Sequence, residues 1–244
     1  MSSKLEAESV HTNYRLAFDS KSSMRIGLFG GTFNPIHFGH LRAALEVKEG
    51  FGLDQVFLIP AAVPPHKGRT GVAAAEDRLR MIELAVEGDS GLMVSDVEIK
   101  RSGPSFTIDT VRYFRQSLAA DTDIFLVMGL DAFLEIDTWK SFRDLLALVP
   151  VVVLSRPEAA GCSGDRDEQT VQGFIRSKLS PDGTVCEGPA GCKAPGLEPI
   201  TVFQVTALDI SSTRVRERVR EGRSIRYLVP SNVRQYITSK GLYR

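Results

Sequence analysis

RIGLFGGTFNPIHFGHL, residues 25–41, is the stretch that decides the fold of this chain. It opens with an apolar run, residues 25–29, that predicts a buried β-strand. Two glycines and an Asn-Pro turn follow, and His37 and His40 stand where a helix is predicted to begin. A strand that leads through glycines into a helix N-terminus directs backbone N–H groups into one concavity. The stretch therefore predicts a cradle for phosphate.

The two histidines are three residues apart, so both rings can lie on the same side of the new helix. An imidazole there can donate to a phosphate oxygen and stabilise the charge that grows during phosphoryl transfer. The residues alone leave two alternatives open: capping or surface histidines, and a metal-binding pair. No carboxylate or cysteine stands near them in the sequence to complete a metal site. We therefore favour phosphate binding.

Outward from this stretch, apolar β-type runs alternate with helical patterns. The further predicted strands are residues 55–59, 92–95, 123–128, 151–154 and 200–205. The predicted helices are residues 39–50, 75–87, 107–119 and 140–148, followed by two more in SSTRVRERVREG and PSNVRQYITSKG. This order predicts an α/β fold: a doubly wound, Rossmann-like parallel sheet with helices on both faces. A small helical segment is predicted at the C-terminus, and a ligand crevice at the carboxyl ends of the strands.

The length of 244 residues suits one domain. We assign residues 24–244 to that domain, with the C-terminal helical segment at 206–244, and treat the polar residues 1–23 as an N-terminal extension. Residues 158–199 are rich in Gly, Pro, Asp and Ser and are predicted to be an inserted loop. This loop carries all three cysteines, at positions 162, 186 and 192, with spacings unlike those of structural zinc sites. Free thiols are expected there.

Charge and hydropathy argue against several classes of partner. Thirty basic residues balance thirty acidic ones, so no global field draws the chain to nucleic acid or to an anionic membrane. No apolar run approaches the roughly 20 residues of a membrane span, and the N-terminus lacks the apolar centre of a signal peptide. We expect a cytoplasmic protein without nucleic-acid or membrane partners. The sequence leaves a homo-oligomer open.

Several motifs together resemble one known family. HFGH at residues 37–40 matches the H-x-G-H signature of the nucleotidylyltransferase superfamily. The other motifs occur in the order seen in bacterial nicotinate-nucleotide adenylyltransferases: IPAAVPPHK, GPSFTIDTV, MGLDAFLEIDTW, SRP, ISSTRVRERV and IRYLVPSNVRQYI. The resemblance covers residues 24–157 and 200–244. It rests on several independent motifs, whereas H-x-G-H alone is shared with other adenylyl- and cytidylyltransferases.

The resemblance implies a reaction of NAD biosynthesis, in which ATP and nicotinate mononucleotide give deamido-NAD and pyrophosphate. The 5′-phosphate of the mononucleotide is already a nucleophile, so in-line attack needs alignment and charge neutralisation and no covalent intermediate. Mg²⁺ is expected to arrive with ATP, held by phosphate oxygens and water. The alternatives are an adenylyltransferase for nicotinamide mononucleotide or another phosphorylated acceptor, and a nucleotide-sensing module without catalysis.

The resemblance also assigns roles to individual residues. The implied catalytic residues are His40, His37 and Arg216. The implied ATP-binding residues are Gly30, Gly31, Thr32, Phe33, His37, His40, Gly129, Asp131, Ile210, Ser211, Ser212, Thr213 and Arg216. The implied acceptor-binding residues are Asn34, Lys67, Thr107, Asp131, Trp139 and Arg156. No residue is assigned to a metal.

Residue chemistry offers further interpretations of some of these positions. Ser211, Ser212 or Thr213 can cap the helix that follows and present its positive end to phosphate. Trp139 has a flat face suited to a pyridinium ring, although a lone tryptophan more often belongs to a core. Asp131 can accept from ribose hydroxyls or cap the next helix.

The sequence departs from the family pattern at two positions. Asn34 stands where the family usually has Asp, which keeps the turn and removes a charge from a phosphate-rich site. Phe106 stands where the family usually has Tyr, so a hydroxyl is missing beside Thr107.

Overall fold

The computed structural model describes residues 23–62, 71–155, 163–179, 185–186 and 191–244. Within them lies one sheet of eight strands: β1 (Arg25–Gly31), β2 (Gln55–Pro60), β3 (Leu92–Val94), β4 (Asp123–Gly129), β5 (Val151–Ser155), β6 (Val185–Cys186), β7 (Cys192–Lys193) and β8 (Ile200–Gln204). Their order is β3-β2-β1-β4-β5-β8-β7-β6. The first six of this order are parallel, and β7 pairs antiparallel with both β8 and β6. All six predicted strands are confirmed.

The described helices are α1 (Phe38–Phe51), α2 (Ala75–Ala85), α3 (Val97–Lys100), α4 (Thr107–Ser117), α5 (Leu130–Leu134), α6 (Phe142–Leu148), α7 (Ser163–Phe174), α8 (Ser212–Arg220) and α9 (Ser231–Lys240). A 3₁₀ turn follows α5, and a π-helical turn continues α7. The six predicted helices are confirmed, with ends shifted by up to two residues. No described helix combines the length and the apolar character needed to cross a membrane.

The sheet buries both faces, which confirms the doubly wound fold. Alternate residues of β1 show this directly: Ile26 and Leu28 pack into one apolar cluster, and Phe29 packs into the other. The cluster of Phe29 includes residues of α1, α2, α8 and α9, whereas the cluster of Ile26 includes residues of α4, α5, α6 and α7. Such strands show as continuous apolar runs in the sequence, because neither face meets water.

The order of the strands fixes where a ligand crevice can form. From β1 the chain moves outward through β2 and β3, and it then returns to the other side of β1 to form β4 and β5. Phe29 is in register with Leu58 of β2 and with Val127 of β4, so the carboxyl ends of these three strands lie side by side. In open α/β sheets, ligands bind at such a topological switch point.

The segment predicted as an inserted loop contains regular structure and needs correction. Its described part includes α7, β6 and β7. Val171, Ile175 and Leu179 are buried against the sheet at helical spacing, a signal that the Gly- and Asp-rich composition obscures. The expectation of free thiols is wrong for Cys192, which is disulfide-bonded. Cys192 is almost fully buried.

Candidate active site

The turn between β1 and α1 brings the two histidines together. His37 is the N-cap of α1, and its backbone N–H donates to Nδ1 of His40 over 3.3 Å. The two imidazoles stack with their centroids 3.7 Å apart. Because Nδ1 of His40 accepts this bond, the neutral ring carries its proton on Nε2 and donates from there. His37 is 2% exposed and His40 is half-buried, so His40 is the ring that a ligand reaches more readily.

Close packing gives this turn its shape. A Cβ atom on Gly39 would lie 3.0 Å from Nδ1 of His37, and a Cβ atom on Gly31 would lie 3.0 Å from the ring of Phe33. A side chain at either position would force the neighbouring ring to shift by a few tenths of an ångström. Phe33 has a φ of 45°, a costly conformation for a residue with a side chain. Its buried ring packs edge-on against His40 with the centroids 5.0 Å apart, so Phe33 supports the His40 ring.

The first turns of α8 contact this same turn. The hydroxyl of Ser212 donates to the carbonyl of Pro35 over 2.9 Å, and Nη1 of Arg216 donates to the carbonyl of Asn34 over 2.9 Å. Nε of Arg216 is buried and has no hydrogen-bond partner among the described residues. The N-terminal ends of α1 and α8 therefore meet, and each contributes the partial positive charge of a helix start.

The serines before α8 confirm the predicted cap. Ser211 is the N-cap of α8, and its Oγ accepts from the backbone N–H of Arg214. Thr213 is exposed, and its hydroxyl accepts from Nη2 of Arg216 over 3.2 Å. The carbonyl of Ile210 lies 3.7 Å from where a Cβ atom of Gly39 would stand. Hydroxyls and backbone from both helix starts thus border one region.

Asn34 lies beneath the turn, where the chain itself occupies its side chain. Its Oδ1 accepts from the backbone N–H of Ala73 over 3.0 Å and from the hydroxyl of Tyr243 over 2.8 Å. Its Nδ2 donates to the carbonyl of Gly71. Burial raises the pKa of the Tyr243 hydroxyl, which therefore stays protonated and able to donate. Asn34 is 4% exposed and braces the turn, and it does not border the cavity that opens at the carboxyl ends of β1 and β4.

Arg78 of α2 is a buried residue that the sequence interpretation missed. Its guanidinium donates to the carbonyls of Ala73, Thr32, Ala61 and Ala62, at 2.6 to 3.2 Å. Burial lowers its pKa. It is 1% exposed, and it joins the glycine-rich turn after β1 to the loop after β2. Its position on the same helical face as Met81 and Ile82 is the sequence signal that could have identified it.

A cavity of about 290 Å³ opens at the carboxyl ends of β1 and β4. It is bordered by Gly30, Gly31, Thr32, Ala61, Glu98, Ser105, Phe106, Thr107, Ile108, Leu126, Val127, Met128, Gly129, Ala132, Glu135, Thr138, Trp139 and Lys140. Trp139 and Thr107, both predicted to bind the acceptor, are half-buried in its wall. A Cβ atom on Gly30 or on Gly129 would meet nothing within 4 Å. The cavity therefore leaves both backbones open to close approach by a ligand.

Among the remaining predicted residues, the structure describes Asp131 but not Lys67 or Arg156. Asp131 is exposed in the first turn of α5, whose N-cap is Gly129, so the alternative in which Asp131 caps that helix is wrong. Asp131 does not border the cavity. Lys67, Arg156 and Cys162 lie outside the described residues.

The arrangement has two adjoining parts with different chemistry. The histidine turn and the start of α8 present imidazole, guanidinium, hydroxyl and backbone donors, which suit a polyphosphate. The cavity presents aromatic faces and a few polar groups, which suit a flat ring. Glycines 30 and 31 and Thr32 belong to both parts, since they border the cavity and begin the turn. The two parts therefore meet at the carboxyl end of β1.

Comparison with known proteins adds a family and a fold. A family model described as cytidylyltransferase-like matches residues 28–218. A protein of Desulfatibacillum aliphaticivorans named "Probable nicotinate-nucleotide adenylyltransferase" is 46% identical over 223 residues, which cover 90% of this chain and all of that protein. A protein of the same name from Pseudomonas fluorescens is 43% identical over 220 residues, which cover 90% of this chain and 97% of that protein.

Solved structures resemble this fold at low sequence identity. Nicotinic acid mononucleotide adenylyltransferase of Plasmodium falciparum, complexed with NaAD, matches with a TM-score of 0.66 and 14% identity. The match covers 90% of this chain and 97% of the other. At that identity, the likeness concerns the fold alone.

Proposed function

The chain belongs to the cytidylyltransferase-like family, among proteins named nicotinate-nucleotide adenylyltransferase, and from this premise we propose that it transfers AMP from ATP to nicotinate mononucleotide. The products are deamido-NAD and pyrophosphate. The observation that carries the proposal is the junction of two sites at the carboxyl ends of β1 and β4. The donor-rich turn with α8 adjoins an aromatic-walled cavity of the right chemistry for a pyridine ring.

In this proposal the donor-rich part binds the triphosphate of ATP. Backbone N–H groups of the turn and of the start of α8 face the phosphate oxygens, and Arg216 adds a permanent charge. Nε2–H of His40 donates to the α-phosphate, where negative charge grows as the phosphorus becomes five-coordinate. His37 holds His40 in that tautomer through its backbone N–H. The acceptor phosphate attacks in line, and no covalent intermediate forms.

The acceptor ring binds in the cavity, against Trp139. The indole gives a pyridinium ring both stacking and cation–π contact. Phe106, whose ring also borders the cavity, takes the place of the tyrosine usual in the family and offers a second apolar wall. Thr107 at the start of α4 supplies a hydroxyl and a helix N-terminus nearby.

Mg²⁺ is proposed to enter with ATP. Among the described residues, no group of three His, Cys, Asp or Glu side chains is placed to hold a metal ion. In the proposal, phosphate oxygens and water coordinate the ion, since Mg²⁺ keeps several waters and often uses substrate phosphates as ligands. When bound, it would neutralise the leaving pyrophosphate.

The test is a comparison of acceptors with the purified full chain. ATP and Mg²⁺ are incubated with nicotinate mononucleotide or with nicotinamide mononucleotide, and pyrophosphate release is followed while the dinucleotide is identified by mass. We expect faster turnover with the nicotinate form. Faster turnover with the nicotinamide form would reassign the acceptor, and tight ATP binding without any turnover would favour a nucleotide-sensing module.

A further inference from the structure

Lys140 is the one cation among the described residues that border the cavity. It directly follows Trp139, the residue proposed to stack on the pyridine ring. The other charged residues of the lining are the acids Glu98 and Glu135. The positive charge of Lys140 can therefore influence which substituent on the ring the cavity accepts.

Two contacts hold the ammonium group at the wall. Nζ of Lys140 lies 4.5 Å from the centroid of the Phe106 ring, which itself borders the cavity. The same atom lies 3.1 Å from Oδ2 of Asp109 on α4. The side chains of Lys140 and Asp109 are 47% and 30% exposed, so solvent screens the pair and it is weakly held.

The nearby acids do not cancel this charge inside the cavity. Glu98 is almost fully buried and accepts a 2.7 Å hydrogen bond from the hydroxyl of Thr110. Nη2 of Arg101 donates to that same hydroxyl over 3.2 Å, so Thr110 links Glu98 to a guanidinium. Glu135 is exposed, and water screens it. Among the described residues that border the cavity, Lys140 is therefore the counter-charge for an anionic substituent on a ring against Trp139.

We propose that Lys140 is a specificity-determining residue that favours an acceptor with an anionic ring substituent, and that Asp109 limits this preference by competing for the ammonium group. This inference rests on the proposed function. A carboxylate on the ring gains from the lysine charge, whereas an amide of similar size gains little. Because the pair with Asp109 is exposed, the ammonium can turn toward a bound carboxylate at small cost. Removing either partner should then shift selectivity in opposite directions.

The experiment measures kcat/KM for nicotinate and for nicotinamide mononucleotide in the wild type and four variants. Lys140→Met should lower the nicotinate-to-nicotinamide ratio by about two- to fivefold, the range for an exposed ion pair. Asp109→Asn should raise the ratio by about twofold, and Lys140→Arg should retain the wild-type ratio. Lys240→Met is the matched control, because Lys240 also lies over an aromatic ring, that of Tyr236, on a helix away from the cavity.

The nicotinate-to-nicotinamide ratio should fall in Lys140→Met and rise in Asp109→Asn. Structural damage would instead lower kcat/KM for both mononucleotides in both variants. The effect of Lys140→Met should also shrink near 1 M salt, where the screening length is about 3 Å. An unchanged ratio in Lys140→Met, or equal changes in Lys140→Met and Lys240→Met, would overturn the inference. A wild-type protein that turns over neither mononucleotide would instead refute the proposed function.

Discussion

The turn after β1 and the wall of the acceptor cavity differ in how firmly the chain holds them. In the turn, Phe33, Asn34 and His37 are 2 to 4% exposed, and hydrogen bonds from α2, α8 and the C-terminus converge on it. In the wall, Trp139 is half-buried and Lys140 is exposed. Pre-organised donors suit the reacting phosphate, where charge develops. The more exposed side chains of the wall suit recognition of the acceptor ring, since they can adapt to its substituent.

This contrast makes His40 the most sensitive residue of the proposed reaction. His40→Ala should lower kcat by about 10²- to 10³-fold, as for loss of one donor to a transition-state charge, with a small change in the KM for ATP. The measurement is steady-state pyrophosphate release at saturating nicotinate mononucleotide. His40→Gln serves as a partner variant, because its amide can still donate.

Thermal unfolding of both His40 variants controls for lost packing against Phe33. Since Nδ1 of His40 also accepts from His37, a modest loss of stability is expected. Unchanged kcat in His40→Ala would remove His40 from the chemistry and weaken the contrast between the two regions.

Arg78 tests whether the turn is held from beneath. Arg78→Met should lower the free energy of unfolding by about 2–4 kcal/mol, because carbonyls of the β1–α1 turn and of the β2–α2 connection lose their donor. Removing the buried charge offsets only part of this loss. Urea unfolding measures this. Arg80→Met is the control two residues away on the same helix, where an exposed arginine pairs only with Glu83, and no change is expected.

Equal stability of the Arg78→Met and Arg80→Met variants would show that the carbonyls find other partners. The turn would then owe its shape to Phe33 and the glycines rather than to the guanidinium.

These two regions also differ in what the sequence could predict. The strands were identified because β1, β2, β4 and β5 are buried on both faces and so leave continuous apolar runs. α3 and α5, of four and five residues, were missed because they are too short for a helical period to show. α7 was missed because its apolar positions lie among glycines, acids and serines.

The site shows the same limit. The histidines, Thr107 and Trp139 stand in recognisable motifs, and the structure brings them to one end of the sheet. The roles of Arg78 and Tyr243 depend on hydrogen bonds across 46 and 209 residues of sequence. A local pattern does not encode such contacts, which exist only after the sheet has brought α2 and the C-terminus under the turn. Asn34 shows this limit. The motif predicts that it binds the acceptor, whereas in the fold its side chain is hydrogen-bonded to Gly71 and Ala73.

Trp139 tests the other side of the comparison. Trp139→Ala should raise the KM for the mononucleotide by about tenfold, equivalent to about 1.4 kcal/mol, with little change in the KM for ATP. Initial rates with each substrate varied in turn give the two constants. Tyr113→Ala is the control, because Tyr113 is an aromatic residue of α4 that is 49% exposed and does not border the cavity. A parallel rise in both KM values for Trp139→Ala would identify Trp139 as a packing residue.

Tyr243 gives the smallest expected effect and the finest test of the turn. Tyr243→Phe keeps the ring and removes the donor to Asn34, which retains its bond from Ala73, so a loss of about 0.5–1.5 kcal/mol in unfolding free energy is expected. A looser turn should also raise the KM for ATP, by about twofold, without a change in the KM for the mononucleotide. The exposed Tyr113→Phe should alter neither quantity.

The pH dependence of stability sharpens this last test. Burial raises the pKa of the Tyr243 hydroxyl above its unfolded value of about 10. The folded state therefore binds this proton more tightly, and the resulting stability is present below pH 10 and is lost as the pH rises further. The difference in unfolding free energy between the wild type and Tyr243→Phe should thus be constant up to about pH 9 and narrow above pH 10. A difference that widened above pH 10 would mean that the phenolate is stabilised beside Arg78 and Arg216, and that the hydroxyl does not serve the turn as a donor.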